Sequence, residues 1–282
     1  MIEQFEAIGT HWELELPIAP DEAEGLIRRV RDRIEAFEST YSRFRASSLI
    51  SKMAKEAGEY LLPEDARPLF DMYAKLYGIS NGAITPLIGQ TLVEAGYDAS
   101  YSLTPKKLTE VPTWEEALEY HFPRLTLKQP AQLDLGGFGK GYLIDIVSEL
   151  IEVDGISDYC VDAGGDMRIR GQERRIGLEN PDALDEVIGV AQISKGSLCA
   201  SAGSRRKWAG YSHILNPLTL QPVTGIKAVW VTAESTLVAD ALTTALYFCK
   251  PDDLPFSFEY ALLAADATLH TSKGFSAEFF IS

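Results

Sequence analysis

Leu133-Asp134-Leu135-Gly136-Gly137-Phe138-Gly139-Lys140-Gly141-Tyr142 decides the reading of this chain. A strand ending near Leu135 runs into a glycine-rich turn, and the turn opens a helix. Glycines let the backbone approach a ligand closely, and a helix N-terminus aims N–H groups and the positive end of its dipole at an anion. Lys140 adds a point charge, so the segment suits a pyrophosphate. Its spacing is neither GxxxxGK[ST] nor GxGxxG. The same residues also serve as a tight strand-to-helix connection with a surface lysine. Beyond the turn, Leu143, Ile146, Val147, Leu150 and Ile151 share one face, which predicts a helix over 139–153 that stops before Gly155.

Outward from this segment the pattern is mixed. Phe5 to Ile8, the Gly9-Thr10 turn and the alternation of Trp12, Leu14 and Leu16 predict strand, turn and strand. Pro20-Asp21 opens a helix with Leu26, Ile27, Val30, Ile34 and Phe37 on one face. A second helix is expected from Pro63 or Glu64 to Tyr77, ended by Gly78. Residues 96–114, rich in Tyr, Thr, Pro and Lys, read as a surface excursion. A short helix near 114–120 and a hairpin near 123–135 come next. Residues 158–233 read as strands with short turns. The helix over 236–249 is apolar almost all round, which marks it as buried. Two strands, near 259–265 and 276–281, close the chain. Helices separated by long runs of strands predict an α+β fold with antiparallel or mixed sheets and packed helices. With no repeat, low-complexity tract or Gly/Ser linker, residues 1–282 read as a single domain.

The 282 residues carry 26 Lys and Arg against 41 Asp and Glu, a net charge of −15. That field argues against nucleic acid or an anionic membrane as a main partner. An anionic ligand needs a local basic or metal site to offset it. Hydrophobic residues at 46% and charged residues at 24% are globular values, not those of a disordered chain. The three cysteines, Cys160, Cys199 and Cys249, form no CxxC pair, and the four histidines are scattered. A disulfide framework and a zinc cluster are therefore not expected. Glu3 and Glu6 precede the first basic residue, Arg28, and no apolar stretch reaches the length of a membrane span. The expectation is a cytoplasmic protein without a leader or a membrane span.

Three further constellations carry chemistry. Asp240 and Thr244 are four apart and share a helix face. A carboxylate among apolar neighbours needs a partner or a cation, and carboxylate, hydroxyl and carbonyl oxygens suit Mg²⁺ with phosphate. A core hydrogen bond or a helix cap for Asp240 fits the same pattern. In His213-Ile214-Leu215-Asn216-Pro217 a histidine stands beside a turn, as a general base, a phosphate ligand or a structural residue. Asp162-Ala163-Gly164-Gly165-Asp166 reads first as a tight hairpin or bulge.

Together and in this order, these segments resemble the ApbE family, the FAD:protein FMN transferases. Asp134 to Asp145 is similar to the family's DLGxxxKGxxxD, Gly164-Gly165-Asp166 to its GGD, His213 to Pro217 to its HI-x-DP-x-TG, and Ala239 to Leu246 to its AD-x-xxT-A. The resemblance runs from Ile8 to near the C-terminus. It implies an ApbE-like, T-fold-related α+β domain with FAD as substrate and Mg²⁺ as metal. By the family pattern Asp240, the Thr244 hydroxyl and the Gly137 carbonyl hold the metal. Asp134, Lys140, Ile8, Phe44, Ala83, Ile84, Thr85 and Ile214 fall at FAD positions. The implied reaction is attack by a Ser or Thr hydroxyl of an acceptor protein on the FMN-side phosphorus of FAD, with AMP leaving. His213 would take the proton and Lys140 would spread the developing charge. The chain departs from the pattern at Met53-Ala54, Thr85, Ala202, Asn216 and Leu220. The alternatives are an FAD pyrophosphatase, with water as acceptor, and a non-catalytic FAD-binding protein.

Overall fold

The computed structural model describes residues 1–204 and 207–280. Its N-terminal hairpin follows the alternation: β1 (Ile2–Ala7) pairs antiparallel with β2 (Thr10–Glu15), whose Trp12 and Leu14 are fully buried. In α1 (Pro20–Tyr41), Pro20 stands in the first turn and a stripe from Ala23 through Val30 to Tyr41 is buried. The five-residue α2 (Leu49–Met53) escapes a periodicity search because it is little more than one turn. Ser48 caps it, accepting from the Ser51 N–H at 3.0 Å.

After β3 (Gly58–Leu61), a 3₁₀ turn at Glu64–Ala66 leads into α3 (Arg67–Ile79); together they match the expected second helix, except that α3 runs through Gly78 to Ile79 instead of stopping there. α4 (Gly89–Glu94), also short, was not expected. One turn, α5 (Trp114–Ala117), precedes β4 (Leu118–His121) and β5 (Arg124–Leu127). These two strands form a three-stranded sheet with β3. The hairpin thus lies over 118–127, not 123–135. Residues 131–135 join no ladder: Ala131 N–H donates to the Met53 carbonyl at the end of α2 at 3.0 Å and Asp134 N–H to the Pro86 carbonyl at 2.7 Å. The glycine-rich turn is therefore entered from extended loop.

The turn opens α6 (Gly139–Val153), with the apolar face read from the sequence. β6 (Tyr159–Ala163), β7 (Asp166–Asn180) and β8 (Ala183–Ala202) follow as long antiparallel partners. Four two-residue strands come next: β9 (Lys207–Trp208), β10 (Tyr211–Ser212), β11 (Leu215–Asn216) and β12 (Gln221–Pro222). β13 (Ile226–Ala233) then leads into α7 (Thr236–Ala245), and β14 (Glu259–Ala264), β15 (Leu269–Thr271) and β16 (Ala277–Phe279) end the fold. Among the described residues nine strands form one sheet, in the order β1-β2-β6-β7-β8-β13-β14-β15, with β16 on β8.

The two-residue period of β13 sorts the core. Val229 and Val231 face the helices α1, α3, α6 and α7, while Ala228 and Trp230 join Ile169, Leu178 and Phe275 on the opposite face. The result is an α+β fold with antiparallel sheets and packed helices. No helix among the described residues is long and apolar enough to cross a membrane.

Candidate functional site

Gly141 brings α6 and α7 into backbone contact. A Cβ there would lie 2.4 Å from the Thr236 carbonyl oxygen and 2.5 Å from the Asp240 Cβ. Across this contact the Gly141 N–H donates to Asp240 Oδ2 at 2.8 Å. So part of the helix N-terminus expected to face an anion faces a carboxylate of the protein instead. Burial pushes the Asp240 carboxyl above its ordinary range, with the Lys140 ammonium and the Gly141 N–H acting against the rise. One turn further along α7, Thr244 Oγ1 donates to the Gly137 carbonyl at 3.3 Å. A carboxylate, a hydroxyl and a carbonyl thus converge from two distant segments.

The contact yields a sharp stability prediction. Gly141→Ala gains about 1 kcal/mol in helix propensity, but overpacking against two rigid neighbours costs about 1–3 kcal/mol or more. The expected net is a lower melting temperature. Gly78→Ala, where a Cβ would meet nothing within 4 Å, is expected to leave the melting temperature unchanged or raise it. Thermal melts of the pair check this; a stabilised Gly141→Ala protein would contradict the close approach.

Around this point lies a cavity of about 370 Å³, lined by the glycine-rich turn, the end of β8, residues 213–215 and α7. Asp134, Gly137, Lys140, His213, Ile214, Asp240 and Thr244 all line it, as do Phe44, Ala83, Ile84 and Thr85. Ile8 does not: it sits at the β1–β2 turn with φ +47°, and Thr10 reaches the cavity in its place. The expected hairpin at 162–166 forms, turned by Gly164 at φ +64° and Gly165 at φ +93°. A Cβ on Gly164 would lie 2.1 Å from Thr10 Oγ1, so glycine is required there. Thr85 is buried, and its hydroxyl accepts from the Leu87 N–H at 3.2 Å.

The charges in the cavity wall pair off, with one exception. Lys140 pairs with Asp166, which is buried and also accepts the Ala200 N–H at 2.9 Å. Arg43 pairs through Nε with Asp134, whose other oxygen accepts the Gly136 N–H at 2.7 Å. The Tyr73 hydroxyl donates to the Asp134 carbonyl at 3.2 Å, and burial first, then the Asp134 charge, hold that phenol protonated. Asp240 alone among these three acids has no ion-pair partner among the described residues. A dianionic pyrophosphate placed here would meet a carboxylate that no ion pair holds among the described residues.

Sequence reasoning left out Arg43, Tyr73, Tyr97 and Asp166 as site residues. Asp166 was visible in the Gly-Gly-Asp turn, and Arg43 stands next to Phe44. Tyr73 and Tyr97 left no local signal, because packing across the fold places them. Tyr97 belongs to the excursion after Gly96, which is ordered by Asp98: its carboxylate accepts the Ser100 and Ser102 N–H groups, each at 3.0 Å, and both hydroxyls. Tyr101 then lies parallel to Phe44, with ring centroids 5.8 Å apart, and Tyr97 stacks on Trp208 at 5.8 Å. Arg43 lies 4.1 Å from the Phe44 ring centroid and 5.0 Å from that of Tyr97. This gives one end of the cavity an aromatic wall. A wider groove of about 620 Å³ lies beyond Trp208, with Lys227 there paired to Asp182 at 2.6 Å.

The donor set tests which metal fits. No group of three or more His, Cys, Asp or Glu that could hold a metal occurs among the described residues, which rules against a thiolate or imidazole cage there. One carboxylate, one hydroxyl and one backbone carbonyl fit a hard divalent cation that completes its shell with water and phosphate oxygens. That Asp240 has no ion-pair partner among the described residues agrees with that fit.

Comparison with known proteins identifies the family and the fold. The family model described as the ApbE family matches residues 8–261. The FAD:protein FMN transferase of Rhodobacter capsulatus is 26% identical over 194 residues, covering 62% of this chain and 37% of that protein. The FAD:protein FMN transferase of Vibrio cholerae is 26% identical over 246 residues, covering 80% of this chain and 71% of that protein. The solved structure titled flavin transferase ApbE from Vibrio cholerae superposes with a TM-score of 0.81 at 19% identity, covering 98% of this chain and 97% of that one.

Proposed function

The chain belongs to the ApbE family, and from that premise we propose that it is a Mg²⁺-dependent FAD:protein FMN transferase acting on a Ser or Thr hydroxyl of a cytoplasmic acceptor protein. The observation that carries this reading is the convergence of the Asp240, Thr244 and Gly137 oxygens beside the Lys140 ammonium in one cavity. The relatives named for the same activity support it.

Asp240, Thr244 and the Gly137 carbonyl would hold Mg²⁺, which when bound supplies Lewis-acid stabilisation of phosphoryl oxygens. The protein's own groups account for the rest. Phe44, Ala83, Ile84, Thr85, Asp134 and Ile214 hold FAD in the cavity, with Arg43 fixing the Asp134 carboxylate. Lys140 exchanges Asp166 for a phosphate oxygen and lies against the charge that builds on the leaving AMP. His213 accepts the proton of the acceptor hydroxyl. The hydroxyl oxygen bonds to the FMN-side phosphorus, and the bond from that phosphorus to the bridging oxygen breaks. AMP departs with the bridging oxygen and its electron pair.

The test is chromatographic. Purified protein is incubated with FAD and a pool of Ser/Thr peptides, with Mg²⁺ or with chelator. AMP and flavin-bearing peptide are expected with Mg²⁺ and absent with chelator. AMP with free FMN alone would support the pyrophosphatase reading, and intact bound FAD a binding protein.

A further inference from the structure

Asp145 sits one turn beyond Gly141 on α6, on the same face, and does not line the cavity. Its buried carboxylate spans the N-terminus of α7. Oδ1 accepts the Thr236 N–H and Oδ2 the Leu237 N–H, each at 2.9 Å, and Oδ2 also accepts the Ser235 hydroxyl at 2.7 Å. These are the first two N–H groups of α7, which have no acceptor within their own helix. Ser235 adds a conventional cap, accepting from the Val238 N–H at 3.3 Å.

The arrangement is reciprocal. The α7 N-terminus is held by a carboxylate of α6, and the Gly141 N–H in the first turn of α6 is held by Asp240, a carboxylate of α7. Gly141 and Asp145 are one turn apart on α6; Asp240 and Thr236 are one turn apart on α7. The two helices are therefore tied by two rungs in antiparallel register. A bidentate grip on two successive N–H groups opposes both sliding and rotation of α7. Slipping by one residue would move the helix about 1.5 Å and turn it about 100°. Arg168 on β7 braces the grip from the sheet, donating through Nη1 to Asp145 Oδ1 at 2.6 Å and to the Glu234 carbonyl at 3.2 Å.

We propose that Asp145 is a positioning residue for the cation site: by fixing the register and rotation of α7 from outside the cavity, it holds the Asp240 and Thr244 oxygens where they converge with the Gly137 carbonyl. This rests on the reading of Asp240 and Thr244 as cation ligands. Asp145→Asn keeps the size of the side chain but turns one acceptor into a donor facing an N–H, so the two-point grip is lost. Outer-shell changes of this kind cost about 10–100-fold in metal affinity.

The test titrates Mn²⁺ into wild type and Asp145→Asn, each saturated with FAD, and reads bound metal by electron paramagnetic resonance. FAD affinity is measured separately by flavin fluorescence without metal. Val147→Ala, a buried truncation in the same helix, serves as a control for general destabilisation. The expected result is a Mn²⁺ dissociation constant raised about 10–100-fold in Asp145→Asn, with FAD affinity unchanged and the Val147→Ala constant like wild type. Equal Mn²⁺ affinity in wild type and a folded Asp145→Asn overturns the positioning role. Equal weakening in Val147→Ala overturns it as well, because helix stability alone would then account for the loss. Failure of wild type itself to bind Mn²⁺ overturns the metal reading and this inference with it. If Asp145→Asn does not fold, Arg168→Gln, which removes the brace but leaves the carboxylate, must show the same selective weakening; unchanged Mn²⁺ affinity in that variant counts against the proposal.

Discussion

Asp240→Asn is expected to lower Mg²⁺-dependent turnover by about 10³-fold or more, as loss of a principal charge-stabilising group does, while raising the melting temperature of the metal-free protein near neutral pH. Both effects follow from the same burial. Asp240 is 7% exposed, and burial holds its carboxyl above the ordinary range. The folded state therefore binds that proton more tightly than the unfolded state, where the value is about 3.9. At low pH both states are protonated and there is no penalty. As pH rises through the ordinary value, the unfolded chain ionises first and the folded state loses stability; the loss is complete above the raised native value. Asparagine removes the charge, and its carbonyl oxygen can still accept the Gly141 N–H. The melting-temperature advantage of Asp240→Asn should thus shrink as pH falls. Added Mg²⁺ and FAD should reverse the order, because only wild type gains stability from the bound cation. A variant with unchanged turnover, or with no gain in melting temperature at neutral pH, contradicts this account of Asp240.

Lys140→Met is expected to cost about 10²–10³-fold in kcat, the usual effect of removing one charge-stabilising group. It should also destabilise the protein, for a different reason. Asp166 is 2% exposed, and without Lys140 its charge is left in the wall without an ion-pair partner. Stranding one partner of a well-buried pair costs about 3–5 kcal/mol; here Lys140 is 26% exposed, so water recovers part of that cost. The double variant Lys140→Met/Asp166→Asn removes both charges. Its melting temperature should recover toward wild type while turnover stays low. Thermal melts and steady-state rates of the two proteins separate the roles: recovery of activity in the double variant would mean that Lys140 only neutralises Asp166.

Much of this site is legible because its key residues lie on regular helices. Asp240 and Thr244, four apart, must share a face of α7, and the glycines before Gly139 announce a close approach. The partners of these residues are another matter. Nothing near Lys140 says that Asp166, twenty-six residues on, will meet it across the β6–β7 turn. Arg43 and Tyr73 reach Asp134 only because α1, α3 and the loop at 131–135 pack together. The sequence pattern places the hairpin beyond its observed span, 118–127, because Leu133 and Leu135 continue the alternation past the last ladder residue. In the structure both are buried in loop, and nearby Ala131 and Asp134 donate to the Met53 and Pro86 carbonyls instead of to a strand. Likewise Ile8 lies in the β1–β2 turn at positive φ, and Thr10 reaches the cavity in its place. Sequence pattern reports faces and periods, and tertiary contact chooses which ends of those faces meet.

Phosphorus NMR of FAD incubated with the protein, Mg²⁺ and a pool of Ser/Thr peptides tests the central claim most directly. Covalent transfer predicts that the pyrophosphate signals decay together into the monoester of AMP and a new phosphodiester joining flavin to peptide, in equal amounts and only with Mg²⁺ present. Two monoesters, AMP and FMN, with no phosphodiester, or an unaltered pyrophosphate, would contradict it.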